Sequence, residues 1–355
     1  MSRDDDRPDR PDRPDCPDRT YRVLSRWPVD NPLVAAEYPW LAFDYTGQVD
    51  GTYLSSLRYA LAVFLSGRRY DLLFAGGLRL PLAFALLNKV FFWRRIPIYV
   101  GASVFLETPS SQPLRLLFQK IKAALLTGGI EKVMILSTEE IEAYHEVWGI
   151  PREKMELISF KIIDEHALDA LPLAEDPYIY TGGNSERDYH TLFEAVRGTA
   201  LPIKVLSTLD FSGYDVPANV ELVDNDRTTR SFYGPMARAR LVVIPLRGGQ
   251  LRSSGQGTYL SAMYLGKCLV VSGVAGVRDL VEDGSTGVIV PPDDAAALRE
   301  ALLRMWAAPA QATEIGARAR DVVRRRNTHQ QYMRVQLANI SDLCLGRGRR
   351  GNGER

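Results

Sequence analysis

The chain has 355 residues, of which 46% are apolar, 25% charged and 9% aromatic. That length suggests two domains with a packed core each, and the composition excludes a collagen-like, disordered or disulfide-scaffold protein for the body of the chain. The formal net charge of +1 gives no overall field that attracts nucleic acid, so we predict no nucleic-acid partner.

The two ends of the chain differ in composition from the body. Residues 1–19 repeat Asp-Arg-Pro and predict a disordered tail, because they bury too little apolar surface to offset the entropy of ordering. Residues 346–355 are rich in arginine and glycine and predict a loose basic tail. No apolar core follows Met1, so we expect no signal peptide.

Short apolar runs alternate with longer helical patterns in the first half, which is typical of βα units and parallel sheets. The predicted strands are 21–25, 71–75, 98–102 and 133–137, and the predicted helices are 53–66, 81–93, 113–126 and 138–148. Arg79 and Lys89 interrupt the apolar range 71–93, which is therefore interpreted as a buried helix and not as a membrane span. The alternation stops over 149–174, so residues 20–168 are predicted to form the first domain.

The second half repeats the same alternation. Its predicted strands are 178–180, 203–206, 220–222, 241–245, 269–272 and 287–290, and its predicted helices are 189–196, 229–239, 258–265, 277–281 and 294–306. Residues 169–326 are predicted to form the second domain, followed by a helix over 327–345 that is expected to return to the first domain. The predicted fold class is α/β, with two Rossmann-like doubly wound domains.

Cysteines and histidines are few and scattered. The chain has Cys16, Cys268, Cys344, His145, His166, His190 and His329, without a Cys-x-x-Cys or His-x-x-x-His pair. We therefore predict neither a disulfide framework nor a metal site, and a cytoplasmic protein.

Two glycine-bearing loops of the second half each join a strand to a helix, where open α/β sheets bind anionic ligands. The first contains Gly182, Gly183 and Arg187, and the second runs from Pro245 to Thr258. Glycines let a ligand approach the backbone, and arginine matches the geometry of phosphate. Together the loops predict a pyrophosphate site. The candidate binding residues are Gly182, Gly183, Arg187, Asp226, Arg252, Ser253, Ser254, Gly255, Gln256, Gly257, Thr258 and Ser261.

Three ordered stretches resemble the donor domain of the group 1 (GT4-like) glycosyltransferases. Gly182–Leu192 is similar to the first donor loop of that family, Ser254–Ser272 to its Leu-Glu-Ala-Met helix and the following Gly-Lys-Pro-Val-Val, and Val281–Asp294 to the next strand and turn. The resemblance covers about Tyr178 to Arg326 and implies the GT-B fold, in which two Rossmann-like domains face a central cleft. It also implies a nucleotide-sugar donor, with UDP- or GDP-sugars expected, no cofactor, and transfer that is metal-independent and retaining.

One departure from the family concerns its pair of glutamates. They map onto Ser253 and Ser261, so a hydroxyl stands where a carboxylate usually holds the ribose. Three functions stay open: a glycosyltransferase, a non-catalytic GT-B protein that binds nucleotide sugars, and a GT-B type sugar-nucleotide epimerase.

The expected chemistry uses basic groups at the leaving diphosphate. Arg187 and the amides of Ser254–Gly257 would stabilise its charge, with Arg247 or Arg252 as further cations. Glu107 is the first candidate for a catalytic base, with an ordinary loop carboxylate at a turn as the alternative. Each further candidate also has an ordinary structural explanation as an alternative. These further candidates are Asp44 as a base, His190 near the phosphates, and Asp224 and Asp226 at the nucleotide.

Residues 114–125 predict a basic amphipathic helix, with Leu114, Leu117, Phe118, Ile121 and Leu125 on one face. Either that face packs into the core, or it lies on a membrane near a lipid-linked acceptor. A glycan or a small molecule is equally open as acceptor, and the protein is expected to be cytoplasmic or peripheral on the inner face of the membrane.

Overall fold

The computed structural model describes residues 19–47, 52–101, 109–223 and 228–352. The strands are β1 (Tyr21–Ser25), β2 (Leu41–Tyr45), β3 (Leu72–Ala75), β4 (Ile98–Val100), β5 (Lys132–Ile135), β6 (Met155–Leu157), β7 (Asp176–Gly182), β8 (Ile203–Leu206), β9 (Val220–Val223), β10 (Ala239–Ile244), β11 (Cys268–Ser272) and β12 (Val288–Val290). The helices are α1 (Pro32–Glu37), α2 (Tyr53–Leu65), α3 (Arg79–Val90), α4 (Pro113–Gly129), α5 (Thr138–Trp148), α6 (Glu165–Asp169), α7 (Tyr189–Val196), α8 (Thr229–Arg238), α9 (Gln256–Tyr264), α10 (Ala295–Ala307), α11 (Pro309–Arg326) and α12 (His329–Asn352).

Capping side chains fix where several helices begin. Ser137 accepts from the amide of Glu140 at the start of α5, and Gly149 ends that helix with a φ of 67°. Asp188 and Asp294 accept from amides in the first turns of α7 and α10. These are the residue types that satisfy the free amides of a helix start, which is why the predicted bounds of these helices lie close to the observed ones.

The strands form two six-stranded parallel sheets, which confirms the predicted fold class. The first has the order β2-β1-β3-β4-β5-β6, and the second β12-β11-β10-β7-β8-β9. In the second sheet β7, β8 and β9 extend to one side, whereas β10, β11 and β12 extend to the other. The order therefore reverses between β7 and β10, and such a switch point leaves a crevice at the carboxyl ends of the two strands.

The described residues fall into two compact units. The first comprises those of Met1–Val104, Leu125–Val133 and Arg334–Arg355, and the second those of Phe105–Ala124 and Met134–Met333. In the second unit, apolar residues cover both faces of the second sheet. The predicted boundary near residue 168 stays a prediction.

Several sequence predictions need correction. Residues 277–281 form turns and not a helix, because Val277 and Leu280 bond back three residues. The predicted loose tail begins at Gly346, whereas α12 continues to Asn352. The predicted helix 81–93 ends at Val90, and Phe92 and Trp93 after it are exposed.

The apolar face of α4 is exposed except at Leu125, which is half-buried. Leu114 is 67% exposed, Leu117 54%, Phe118 57% and Ile121 46%. The alternative in which this face packs into the core is therefore wrong. No helix in the described part of the chain combines the length and the apolar character that crossing a bilayer requires.

Candidate functional site

The two glycine-bearing loops meet at the switch point of the second sheet. Gly182 ends β7, and the loop after it pairs with the loop after β10 through an antiparallel bridge between Arg187 and Leu246. The amide of Asp188 donates to the carbonyl of Pro245 at 3.1 Å, and that of Arg247 to Glu186 at 3.1 Å. The sheet order thus places the two loops side by side, as the sequence analysis requires for one shared site.

Arg187 connects these loops through its side chain. Its Nε donates to the carbonyl of Gly182 at 2.9 Å, Nη1 to that of Ser185 at 2.9 Å, and Nη2 to the hydroxyl of Thr258 at 3.0 Å. A guanidinium has five N–H groups, so one remains on Nη1 and one on Nη2. The contact with Thr258 links the first loop directly to the first turn of α9.

Two glycines make room for the guanidinium. A Cβ at Gly183 would lie 2.7 Å from Nη2 of Arg187, and a Cβ at Gly255 would lie 3.0 Å from Nη1. Both glycines also have positive φ, 106° and 76°, which other residues adopt only with strain. Gly183 and Gly255, which the sequence suggests for ligand approach, therefore also leave the space that the guanidinium occupies.

Arg187 is a buried cation, with 4% of its surface exposed. Among the described residues no carboxylate lies within ion-pair distance of it, since the buried partners are carbonyls and a hydroxyl. Burial lowers the pKa of the guanidinium from its usual value. A buried positive charge without a carboxylate is costly, and a bound anion would offset that cost.

The start of α9 lies next to this charge. Gly255 precedes the helix in a left-handed conformation, and no side chain caps this end. The amides at a helix start carry a partial positive charge and bind anions. Together with the unpaired arginine, this end of α9 can hold a phosphate or diphosphate.

Glu140, which sequence reasoning missed, holds the segment before α9. Its Oε1 accepts from the amide and, at 2.9 Å, from the hydroxyl of Ser253, and its Oε2 accepts from the amide of Leu136 at 3.1 Å. Glu140 is 1% exposed, and this burial raises the pKa of its carboxyl group. The hydrogen bonds from Ser253 and Leu136 act in the opposite direction and lower the pKa. Both Glu140 and Ser253 belong to the second unit. A carboxylate therefore does reach Ser253, but from α5.

Three other candidates in α9 have contacts within the protein. Ser261 is fully buried and donates to the carbonyl of Gly257 at 2.7 Å. The amide group of Gln256 donates to the carbonyl of Leu136 at 2.9 Å. A Cβ at Gly257 would lie 2.6 Å from Cδ1 of Ile163, so a larger residue there would require the exposed Ile163 side chain to move. Binding roles for these residues stay predictions.

The remaining candidate residues lie in several different parts of the chain. Arg252 lies 3.6 Å from Glu186, and Ser254 is buried next to Gly255. Asp44 lies in β2, 3.8 Å from Arg22, and His190 is exposed on α7. Glu107, Asp224 and Asp226 lie outside the described residues, and within those residues no group of three acidic, histidine or cysteine side chains could hold a metal ion.

Residues 215–308 match the family model described as "Glycosyl transferases group 1". This segment contains two of the three stretches that carry the resemblance, Ser254–Ser272 and Val281–Asp294, whereas Gly182–Leu192 lies outside it. No curated protein matches the chain significantly.

Solved structures share the fold over nearly the whole chain. Sucrose-phosphate synthase from Thermosynechococcus elongatus is 17% identical with a TM-score of 0.64, and the match covers 92% of this chain and 89% of that one. HepE of Anabaena, solved with UDP and glucose, is 13% identical with a TM-score of 0.63, covering 91% and 100%. A glycosyltransferase from Rickettsia africae is 14% identical with a TM-score of 0.61, covering 92% and 90%. The shared fold and the match over residues 215–308 together support a glycosyltransferase of the GT-B type.

Proposed function

We propose that this protein transfers a glycosyl group from a nucleoside-diphosphate sugar to an acceptor hydroxyl. The bond from the anomeric carbon to the diphosphate breaks, a bond to the acceptor oxygen forms, and the acceptor proton passes to a base. Metal independence and retention of configuration belong to this proposal through the family resemblance. Metal independence requires that protein groups alone stabilise the leaving diphosphate.

The unpaired Arg187 is the observation that carries the proposal. It lies at the switch point, between the first glycine loop and the uncapped start of α9. Charge-assisted bonds from a guanidinium strengthen as negative charge grows on the diphosphate, so this arrangement favours bond breaking. The other candidate residues of the two loops would surround the same group.

The solved structures support the classes of donor and acceptor. HepE was solved with UDP-glucose, and a TarM variant of S. aureus was solved with UDP, fondaparinux and α-GlcNAc-glycerol. We therefore propose a UDP-sugar as the first donor to test, with a GDP-sugar next, and a glycan as acceptor. A lipid-linked or small-molecule acceptor would use the same donor site.

A non-catalytic protein that binds nucleotide sugars is the second candidate. Ser261 favours it, because its hydroxyl is fully buried and already donates within α9. A protein of this kind would bind the donor and leave its glycosidic bond intact.

A nucleotide panel tests the proposal. UDP, GDP, ADP, dTDP and CDP, each with and without a sugar, are added to the purified protein while its thermal unfolding is followed. A ligand at about 100 times its Kd should stabilise the fold by about 2.7 kcal/mol, and one base is expected to give the largest shift. Release of nucleoside diphosphate from the matching sugar then separates turnover from binding. No shift with any member of the panel would contradict the proposal.

The exposed face of α4 supports a peripheral membrane contact through residues 114–125. Arg115 and Lys120 are exposed on the same helix, and cations next to apolar residues favour anionic bilayers. We propose that this contact brings the protein to a lipid-linked acceptor. Replacing Leu117 and Phe118 by serine should then reduce sedimentation with anionic vesicles, whereas unchanged sedimentation would contradict the contact.

A further inference from the structure

A second exposed apolar surface lies where α3 ends, in the first unit. Phe92 is 74% exposed and Trp93 69%, and they are accompanied by Val90 at 56% and Leu65 at 67%. We call these four residues the α3 tip. Large aromatic side chains exposed together are unusual on a soluble surface and mark an interaction site.

The backbone under the α3 tip is well supported. Phe91 stacks on Phe64 with a centroid distance of 5.2 Å, and the rings of Phe91 and Trp93 form a T-shaped pair with centroids 5.6 Å apart. Nη1 of Arg94 donates to the carbonyl of Phe64 at 2.6 Å, and Nη2 donates to the carbonyls of Ser66 and Arg68. These contacts join the end of α2 to the segment after α3, so the backbone that carries the exposed rings is held by packing and hydrogen bonds.

Four basic residues lie close to the α3 tip along the chain. Arg68, Arg69, Lys89 and Arg95 are all exposed. Arg95 lies 2.7 Å from Glu131, and no other carboxylate of the described residues lies within ion-pair distance of these four cations. The α3 tip is therefore apolar, and the exposed residues next to it along the chain are positively charged.

We propose that the α3 tip docks onto an anionic lipid bilayer. Tryptophan and phenylalanine favour the interface between lipid headgroups and acyl chains, and exposed arginine and lysine are attracted by anionic headgroups. A protein partner would need acidic groups around an apolar pocket. An anionic bilayer presents charged headgroups above apolar acyl chains at every position on its surface. The proposal is independent of the transferase function and of the contact through α4.

Flotation with lipid vesicles tests this docking on the full chain. Vesicles of phosphatidylcholine are compared with vesicles that also contain phosphatidylglycerol, at low and high salt. The Phe92→Ser/Trp93→Ser variant is expected to bind the anionic vesicles about tenfold more weakly or worse. Leu222→Ser/Leu303→Ser is the matched control, since both leucines are exposed elsewhere, at 45% and 43%. It should bind like the native protein.

Two further readouts locate the contact. Brominated phosphatidylglycerol should quench tryptophan fluorescence in the native protein and much less in Trp93→Phe, which keeps an aromatic ring and should still bind. Replacing Arg68, Arg69 and Lys89 by glutamine should weaken binding to anionic vesicles only.

The proposal is overturned if the native protein binds no vesicles, or if the Phe92→Ser/Trp93→Ser variant binds them as well as the native protein does. Dimerisation that the serine variant abolishes would also overturn it, because the α3 tip would then bind a second copy. Nucleotide stabilisation should be the same in all variants, which separates this result from a failure of the proposed function.

Discussion

Replacing Arg187 by alanine is expected to weaken binding of the nucleoside diphosphate by at least about thirtyfold. Losing one partner of a buried, hydrogen-bonded charge pair typically costs about 2–5 kcal/mol, and about 1.4 kcal/mol corresponds to a factor of ten in affinity. The same change leaves the carbonyls of Gly182 and Ser185 and the hydroxyl of Thr258 without this donor. Isothermal titration with the nucleotide that gives the largest shift measures the effect.

Three control variants separate charge from folding. Arg187→Met keeps most of the volume and removes the cost of burying a charge, so it should fold well and still bind weakly. Arg187→Lys keeps the charge but loses the planar guanidinium. Its nucleotide affinity should lie between those of the native protein and Arg187→Met. Arg304→Ala removes an exposed arginine on α10 and should bind normally. Native affinity in Arg187→Met would rule out the proposed phosphate contact.

The second large effect is expected from Glu140→Ala. This change removes three hydrogen bonds to a buried carboxylate and leaves the amides of Ser253 and Leu136 without acceptors. Buried groups that lose such partners cost about 1–3 kcal/mol each, so we expect the free energy of unfolding to fall by about 2–4 kcal/mol. Urea unfolding measures the loss. Nucleotide affinity should fall as well, because the segment before α9 loses its support. Glu142→Ala, an exposed carboxylate one turn or less away on α5, is the control.

Glu140→Gln tests the charge of this side chain through pH. Burial raises the pKa of Glu140 in the folded protein, so its protonated form favours the fold and this contribution is lost as pH rises through the folded pKa. Native protein should therefore gain stability relative to Glu140→Gln as pH falls from neutral toward the ordinary glutamate pKa of about 4.3. Parallel unfolding curves across this range would show that the carboxylate stays ionised throughout.

Sequence patterns predicted the elements that carry their own boundary signals. The ranges of β1 and α5 match the prediction, since an apolar strand and the Ser137 and Gly149 caps are local features. Residues 277–281 resembled a helix in sequence, because Val277 and Val281 are apolar and four positions apart. Both side chains are buried in the structure, but turns bury them and not a helix. Spacing alone does not separate these cases.

The sequence shows the part of the candidate site that local patterns reveal. Two glycine loops after strands are visible in sequence, and the fold brings them together at Arg187. Glu140 was missed because Ser137-Thr-Glu-Glu140 resembles a capping box, in which the glutamate serves its own helix. Its carboxylate instead bonds Ser253, which lies 113 positions further along the chain. Only tertiary structure reveals such a partner.

The bond between Glu140 and Ser253 affects how far this protein can be divided into exchangeable modules. A fragment cut at the predicted boundary, residues 169–326, would keep both glycine loops but lose Glu140 and the carbonyl of Leu136 that binds Gln256. It would also lose the backbone bond from Ile162 to Asn327. Chimaeras that transplant donor specificity should therefore carry residues from Met134 onward, so that the transplanted loop arrives with the groups that shape it.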